Sequence, residues 1–196
     1  MLTWTKILKQ ELTPSESIVF DPTANFGNYQ FRMDDLSIYF MIKITHKPTN
    51  TIFLQQNITA DLARYLAKLT LNQDFKVEVI NTDTVNHWMG LYIFKATNFF
   101  NIIVKFEQIT INPSSQVIRN IDGYYYTAKI FPNAVVVVYR FKDKANFTDL
   151  YIYVDNYFKM DQITDIPFDR NIELVIENID SVNPRIANIV WNLYRD

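Results

Sequence analysis

Alternation of apolar and polar residues is the feature of this chain that most limits its fold. From Leu36 to Thr45, every second residue is Leu, Ile or Phe, and the residues between them are Ser, Tyr, Met, Lys and Thr. A period of two places one set of side chains on each face of a β-strand. Comparable runs recur at intervals of about 8–12 residues, which is typical of an antiparallel sandwich. The sequence predicts an all-β fold, an antiparallel, jelly-roll-like β-sandwich of about ten strands.

One segment has helical spacing instead. Thr59 is placed to cap it, Asn72 is placed to end it, and the apolar residues between them recur every three or four positions. These residues are Leu62, Tyr65, Leu66 and Leu69. The spacing predicts one substantial helix over residues 59–71, packed against the sheet.

The length of the chain, 196 residues, fits one domain. We identify no internal repeat, low-complexity tract or Ser/Gly linker, so we expect a single β-rich domain over residues 1–196. The only candidate for a seam lies near residues 96–99. The first residues, MLTWTKILKQELTPSES, lack the apolar core of a signal peptide, and no run of about 18 apolar residues follows. With no Cys, these patterns favour a protein made in a reducing cytoplasm, without a signal peptide or a transmembrane segment.

Residue types that carry recognisable chemistry are scarce. The chain has no Cys, two His (His46 and His87) and three isolated Gly. Cys and His bind metals and act near neutral pH, and Gly-rich loops close around phosphates. The net charge of −2 gives no basic footprint for nucleic acid. We therefore expect a non-enzymatic protein with no catalytic residues, no metal, no organic cofactor and no specific nucleic-acid partner.

Carboxylates offer the remaining route to catalysis. Glu173 and Glu177 share one strand face, and paired carboxylates hydrolyse glycosides when they meet in space. Asp161, Asp165 and Asp169 recur every four residues but lack the D-x-D-x-D-G arrangement of a calcium loop. A carboxylate-based hydrolase is the less favoured alternative.

Tyrosines on the outer parity of several strands are the more informative signal, among 12 Tyr and 15 Phe in all. An aromatic outer face is typical of protein interfaces, because Tyr gives contact area at low entropic cost. The candidate interface residues are Tyr39, Met41, Tyr151, Tyr153, Val190 and Tyr194. Two alternatives stay open: an internal layer that covers these side chains, and a carbohydrate-binding β-sandwich that stacks sugars on exposed rings.

The chain resembles virion structural proteins of tailed bacteriophages, namely the β-sandwich subunits of necks, tails and capsid accessories. The features that carry the resemblance are the absent Cys, the richness in Ile and Asn, and the strand-dominated second half from Phe99 to Tyr194. The resemblance implies a structural component of the virion, synthesised in the host cytoplasm. It also implies a homo-oligomer or ring held by protein–protein contacts within a larger assembly, away from membranes.

Overall fold

The computed structural model describes residues 2–67, 69–96, 102–120, 125–132, 137–146, 149–154 and 171–194. Within these ranges the chain forms fourteen antiparallel strands and one α-helix. The elements are β1 (Leu2–Leu12), β2 (Ser17–Phe20), β3 (Gln30–Met33), β4 (Phe40–His46), β5 (Thr51–Asn57), α1 (Ala60–Ala67), β6 (Phe75–Asn81), β7 (His87–Ala96), β8 (Ile102–Ile111), β9 (Ser115–Asn120), β10 (Tyr125–Pro132), β11 (Val137–Asp143), β12 (Asp149–Val154), β13 (Ile172–Asn178) and β14 (Arg185–Tyr194). The predicted antiparallel all-β fold with one helix is confirmed, whereas the described residues form fourteen strands and not about ten.

The helix ends at Ala67, before the predicted residue 71, and the chain after it pairs with another segment. The Leu62 N–H donates to the Thr59 side-chain oxygen at 3.2 Å, so Thr59 is the N-cap as expected. Leu71, predicted to be helical, forms an antiparallel bridge with Tyr29. The backbone groups of Leu71 are therefore used outside the helix.

The strand predicted from Leu36 to Thr45 begins later than expected. β4 begins at Phe40, whereas Leu36–Tyr39 precede it in a turn. The Ser37 N–H donates to the Asp35 side chain at 2.8 Å, and the Phe40 N–H donates to the Ser37 carbonyl at 3.3 Å. A short carboxylate that accepts from the backbone two residues on favours a turn over a strand.

The chain divides into two compact units, residues 1–104 and 105–196. In the first unit, one sheet has the order β1-β7-β3 and the other has the order β2-β6-β4-β5. Buried aliphatic and aromatic side chains from alternate positions of β4, β6 and β7 form its core. The first and last strands of the unit are neighbours, and the second strand pairs with the sixth, which is a jelly-roll order.

The second unit has the same strand order. Its sheets are β8-β14-β10 and β9-β13-β11-β12. If the seven strands of each unit are numbered in chain order, both units have one sheet with the order first-seventh-third and one with the order second-sixth-fourth-fifth. The expectation of no internal repeat is therefore wrong at the level of topology.

The prediction of one domain over residues 1–196 stays a prediction, and residues 97–99 of the proposed seam lie outside the described ranges. Across the described part of the chain, no helix is both long and apolar enough to span a membrane.

Candidate functional site

The predicted interface residues have different environments. Tyr39 is exposed in the turn before β4, and Met41 is partly buried on β4. Val190 is fully buried, so its expected position on an outer face is corrected. Residues of both parities from Ala187 to Asn192 are buried, so both faces of β14 are covered.

The other three predicted interface residues are placed by backbone only. Tyr151 and Tyr153 lie on β12, at the edge of the sheet, opposite Phe141 and Tyr139. Tyr194 ends β14. The side chains of Tyr151, Tyr153 and Tyr194 lie outside the described part of the structure, so their role at an interface stays a prediction.

Tyr39 is held by His87, the first residue of β7. The two rings stack with centroids 4.6 Å apart and planes 8° apart. His87 Nε2, at the edge of the ring, lies 2.6 Å from Asp83 Oδ2. The Thr82 N–H also donates to the Tyr39 carbonyl, at 2.8 Å. The turn before β4 and the turn between β6 and β7 therefore form one connected end of the first sandwich.

A buried asparagine organises this end. Asn81 is fully buried, and its side-chain amide donates to the Leu12 carbonyl at 2.9 Å and to the Val85 carbonyl at 2.8 Å. Its side-chain oxygen accepts from the Asp83 N–H at 2.9 Å. One side chain thus joins the end of β1 to the β6–β7 turn by hydrogen bonds to three backbone groups.

The second unit repeats this corner. Asn178 is fully buried, and its amide donates to the carbonyls of Ile111 at 3.1 Å and Asn183 at 2.9 Å. Its oxygen accepts from the Asp180 N–H at 3.0 Å. The Arg185 guanidinium, at the start of β14, pairs with Asp180. Arg185 thus pairs with Asp180 as His87 pairs with Asp83, although Arg185 lies one position later in the repeated sequence.

A sequence signal for the repeat exists, although it is short. Residues 81–86 read N-T-D-T-V-N and residues 178–183 read N-I-D-S-V-N. The turns that precede β2 and β9 match as well, because Pro14-Ser15 and Pro113-Ser114 occupy the same place. Ser15 has φ 67° and Ser114 has φ 51°, both in the left-handed region. The pattern N-x-D-[S/T]-V-N is the signal that would have identified the two units.

The two corner carboxylates are held in their ionised form. The hydrogen bond from His87, followed by that from the Thr84 N–H, lowers the pKa of Asp83. Hydrogen bonds from the backbone N–H groups of Val182 and Asn183 lower the pKa of Asp180 well below its usual range. Each corner therefore holds an ionised carboxylate that is hydrogen-bonded to a basic side chain.

A second contact fixes the segment that leads from β3 to Tyr39. Asp34 accepts a hydrogen bond from the Gly90 N–H and one from the Tyr92 hydroxyl at 3.1 Å, and Lys9 Nζ lies 3.7 Å away. The hydrogen bond to Asp34 raises the pKa of Tyr92. A Cβ at position 90 would lie 2.7 Å from Asp34 Cγ, so only Gly leaves room for this carboxylate.

Around this end the first unit exposes a group of large apolar side chains, which we call the corner patch. Each exposes between 43% and 66% of its surface. The corner patch consists of Leu36, Ile38, Tyr39, Val85 and Trp88. Of these, only Tyr39 was among the predicted interface residues. Leu36 and Ile38 were missed because alternation placed them on a buried strand face, and single residues such as Val85 and Trp88 carry no periodic signal.

The residues considered for catalysis are placed as follows. Glu177 is bound by Arg140, whose Nε lies 3.2 Å from the carboxylate, and Glu173 is partly buried on the same strand. Asp161, Asp165 and Asp169 lie outside the described residues. Among the side chains that the structure describes, no group of three or more His, Asp or Glu could hold a metal ion.

Comparison with known proteins gives structural likenesses only. No protein-family model and no curated protein matches the sequence. The crystal structure of the major capsid protein P2 from bacteriophage PM2 is similar over 97% of this chain and 98% of that chain, with 9% identity and a TM-score of 0.37. The crystal structure of the STIV MCP is similar over 97% of each chain, with 9% identity and a TM-score of 0.38. The jelly-roll assignment above stands on the strand order of this chain and not on these likenesses.

Proposed function

We propose that this chain is a non-enzymatic structural subunit of a virion, acting through protein–protein contacts in a larger assembly. The observation that carries the proposal is the corner patch: five exposed apolar side chains on a corner that hydrogen bonds hold firmly. Several exposed large apolar side chains at one end of a domain are typical of interaction sites. Jelly-roll domains occur both in viral capsid proteins and in lectins, so assembly and sugar binding have to be distinguished.

The chemistry of the corner patch favours a protein partner over a sugar. Three of its five residues are aliphatic, and such side chains offer no hydrogen bonds to sugar hydroxyls. One face of the Tyr39 ring is already covered by His87, which leaves less ring surface for stacking. A protein surface with an apolar centre needs neither free hydrogen-bonding groups nor a free ring.

The more specific proposal is a neck, tail or capsid-accessory subunit of a tailed phage that forms a homo-oligomer or ring. It follows the resemblance in sequence character, and the two jelly-roll units of equal design support an assembly role. In this account the protein is made in the host cytoplasm, and it needs no cofactor, specific nucleic acid or membrane.

Electron microscopy of the purified full chain, with glycan-array binding in parallel, tests the proposed function. We expect discrete rings or ordered assemblies and no glycan binding. Monomeric particles together with specific glycan binding would support the lectin alternative instead. Hydrolysis of a glycoside that depends on Glu173 or Glu177 would support the hydrolase alternative.

A further inference from the structure

Strand β5 is an edge strand without the features that usually prevent an edge from pairing with another strand. Edge strands of natural proteins are commonly very short, or they carry charged residues or Pro. Among the eight edge strands of the described residues, six contain at least one charged residue. Of the other two, β2 has only four residues, whereas β5 has seven and reads T-I-F-L-Q-Q-N, without a charge or a Pro. β5 is therefore the edge most open to a further strand.

The backbone groups of β5 point alternately towards β4 and away from the sheet. Just after β5, the Ile58 N–H donates to the Phe40 carbonyl at 2.8 Å. Bonded and non-bonded pairs alternate along antiparallel strands, so Gln55 and Asn57 direct their N–H and C=O groups away from β4. Both residues lie after the bulge at Phe53, in the regular part of the ladder.

The other side of β4 has the matching parity. The Thr82 N–H donates to the Tyr39 carbonyl at 2.8 Å, so odd-numbered residues of β4 bond to β6 and even-numbered residues bond to β5. Gln55 and Asn57 are also exposed, whereas Leu54 is buried. These two residues thus offer four backbone groups along an accessible edge.

We propose that β5 pairs with β5 of a second copy of this chain, antiparallel and across a two-fold axis. The two four-stranded sheets would then join into one sheet of eight strands. This inference rests on the proposed function and names one contact of the assembly. A row of outward-facing N–H and C=O groups is matched by another extended backbone, which is how sheet edges bind their partners.

The sequence of β5 favours its own copy over a different strand. Pairing centred on Gln56 places Gln55 of each copy opposite Asn57 of the other, so the outward-facing groups of both copies meet in two bonded pairs. The side chains that meet are neutral amides, which both donate and accept hydrogen bonds. A strand that pairs with itself brings its own charges close together, and β5 carries none.

The lysines on the strands beside β5 do not oppose this contact. Lys43 Nζ lies 3.7 Å and Lys76 Nζ lies 3.0 Å from Glu78 Oε2, so both are paired within the sheet. Across the axis, Lys43 of the two copies would be three strand spacings apart, about 14 Å. This distance exceeds the Debye length of about 8 Å at physiological ionic strength.

A proline at an outward-facing position tests the backbone contact. Gln55→Pro removes an N–H that points away from β4, so the bonds within the sheet are kept. Two hydrogen bonds across the axis would be lost, and we expect the Kd for self-association, measured by sedimentation, to rise by about tenfold or more. The matched control Gln55→Ala keeps the N–H and should leave the Kd within about threefold. A Gln55→Pro chain that is folded by circular dichroism and associates as the natural chain does would overturn the proposal.

Cross-linking tests the register, and it decides the matter if Gln55→Pro does not fold. Gln56→Cys would face its own copy across the axis with the Cα atoms about 4.5 Å apart, within the range of a disulfide. The natural chain has no Cys, so oxidation should give a covalent dimer through this position alone. Ile52→Cys, on the same strand, should give little dimer, because the two thiols would lie about eight residues, or about 27 Å, apart. Equal yields from the two variants would overturn the proposed pairing.

The outcomes separate this inference from the proposed function. A natural chain that assembles although neither test detects the β5 contact would overturn the pairing, while the proposed function would stand on another interface. Cross-links from Gln56→Cys to a different coat protein only would overturn the second copy as the partner. A chain that neither self-associates nor enters a particle would overturn both the pairing and the proposed function.

Discussion

Asn81 and Asn178 make equivalent hydrogen bonds in the two units. Each buried amide donates to the carbonyl of the last residue of its unit's first strand, Leu12 or Ile111. Each side-chain oxygen accepts the N–H of the aspartate two residues on. The same solution to the same corner explains why an N-x-D-[S/T]-V-N sequence occurs twice in the chain.

Loss of either asparagine should destabilise the protein. Asn81→Ala leaves one buried carbonyl, one partly buried carbonyl and one N–H without the Asn81 side chain, which costs about 1–3 kcal/mol in the free energy of unfolding. Denaturant unfolding followed by fluorescence measures this cost, and Asn178→Ala should behave alike. Asn86→Ala, at an exposed position of the same turn, is the control and should change stability by less than about 0.5 kcal/mol. Equal effects of Asn81→Ala and Asn86→Ala would argue against the anchoring role.

A methyl group at Gly90 should be more costly when Asp34 is present than when Asp34 is removed. The new Cβ would meet Asp34 Cγ at 2.7 Å, so Gly90→Ala should cost about 1–3 kcal/mol in stability. In an Asp34→Ala background the same substitution should cost less, because the carboxylate is gone and only Tyr92 Cε2, 2.9 Å from the new Cβ, has to shift. A double-mutant cycle by thermal unfolding measures this coupling. Additive effects would contradict the close approach.

The corner carboxylates should make the protein sensitive to acid. Hydrogen bonding lowers the folded-state pKa of Asp83 below its unfolded value of 3.8. A group with a depressed pKa stabilises the fold above the unfolded value, and this contribution is lost as the pH falls through the folded pKa. We therefore expect stability to fall below about pH 4 more steeply in the natural chain than in Asp83→Asn. Carboxyl titration by NMR should show Asp180 protonating at a lower pH than Asp83.

Sequence reasoning predicted the fold better than it predicted which side chains are exposed. Alternation identified the strands because one face of most of them is buried, as in β6, where Phe75, Val77 and Val79 point inwards. It failed at Leu36 and Ile38, where a hydrogen bond between Ser37 and Asp35 sets a turn that no periodicity records. It also failed at Val190, because alternation does not tell whether the second face of a central strand is covered.

The tyrosines of the edge strand remain a separate test of assembly. Tyr151 and Tyr153 lie on β12, which has one neighbouring strand, β11, in its sheet. We expect Tyr151→Asp with Tyr153→Asp to weaken oligomerisation at least tenfold while the circular dichroism spectrum is kept. Unfolding of this variant would assign the two side chains to an internal layer. Loss of glycan binding alone would favour the carbohydrate alternative.

The central claim is that this chain functions by assembling, and its mass in solution tests that claim most directly. Light scattering on the purified full chain, over a wide range of concentrations, gives the mass without a partner or a label. We predict a discrete oligomer whose mass is a whole multiple of 23.2 kDa. A mass of one chain at every concentration, with no ordered particles by electron microscopy, would contradict the account.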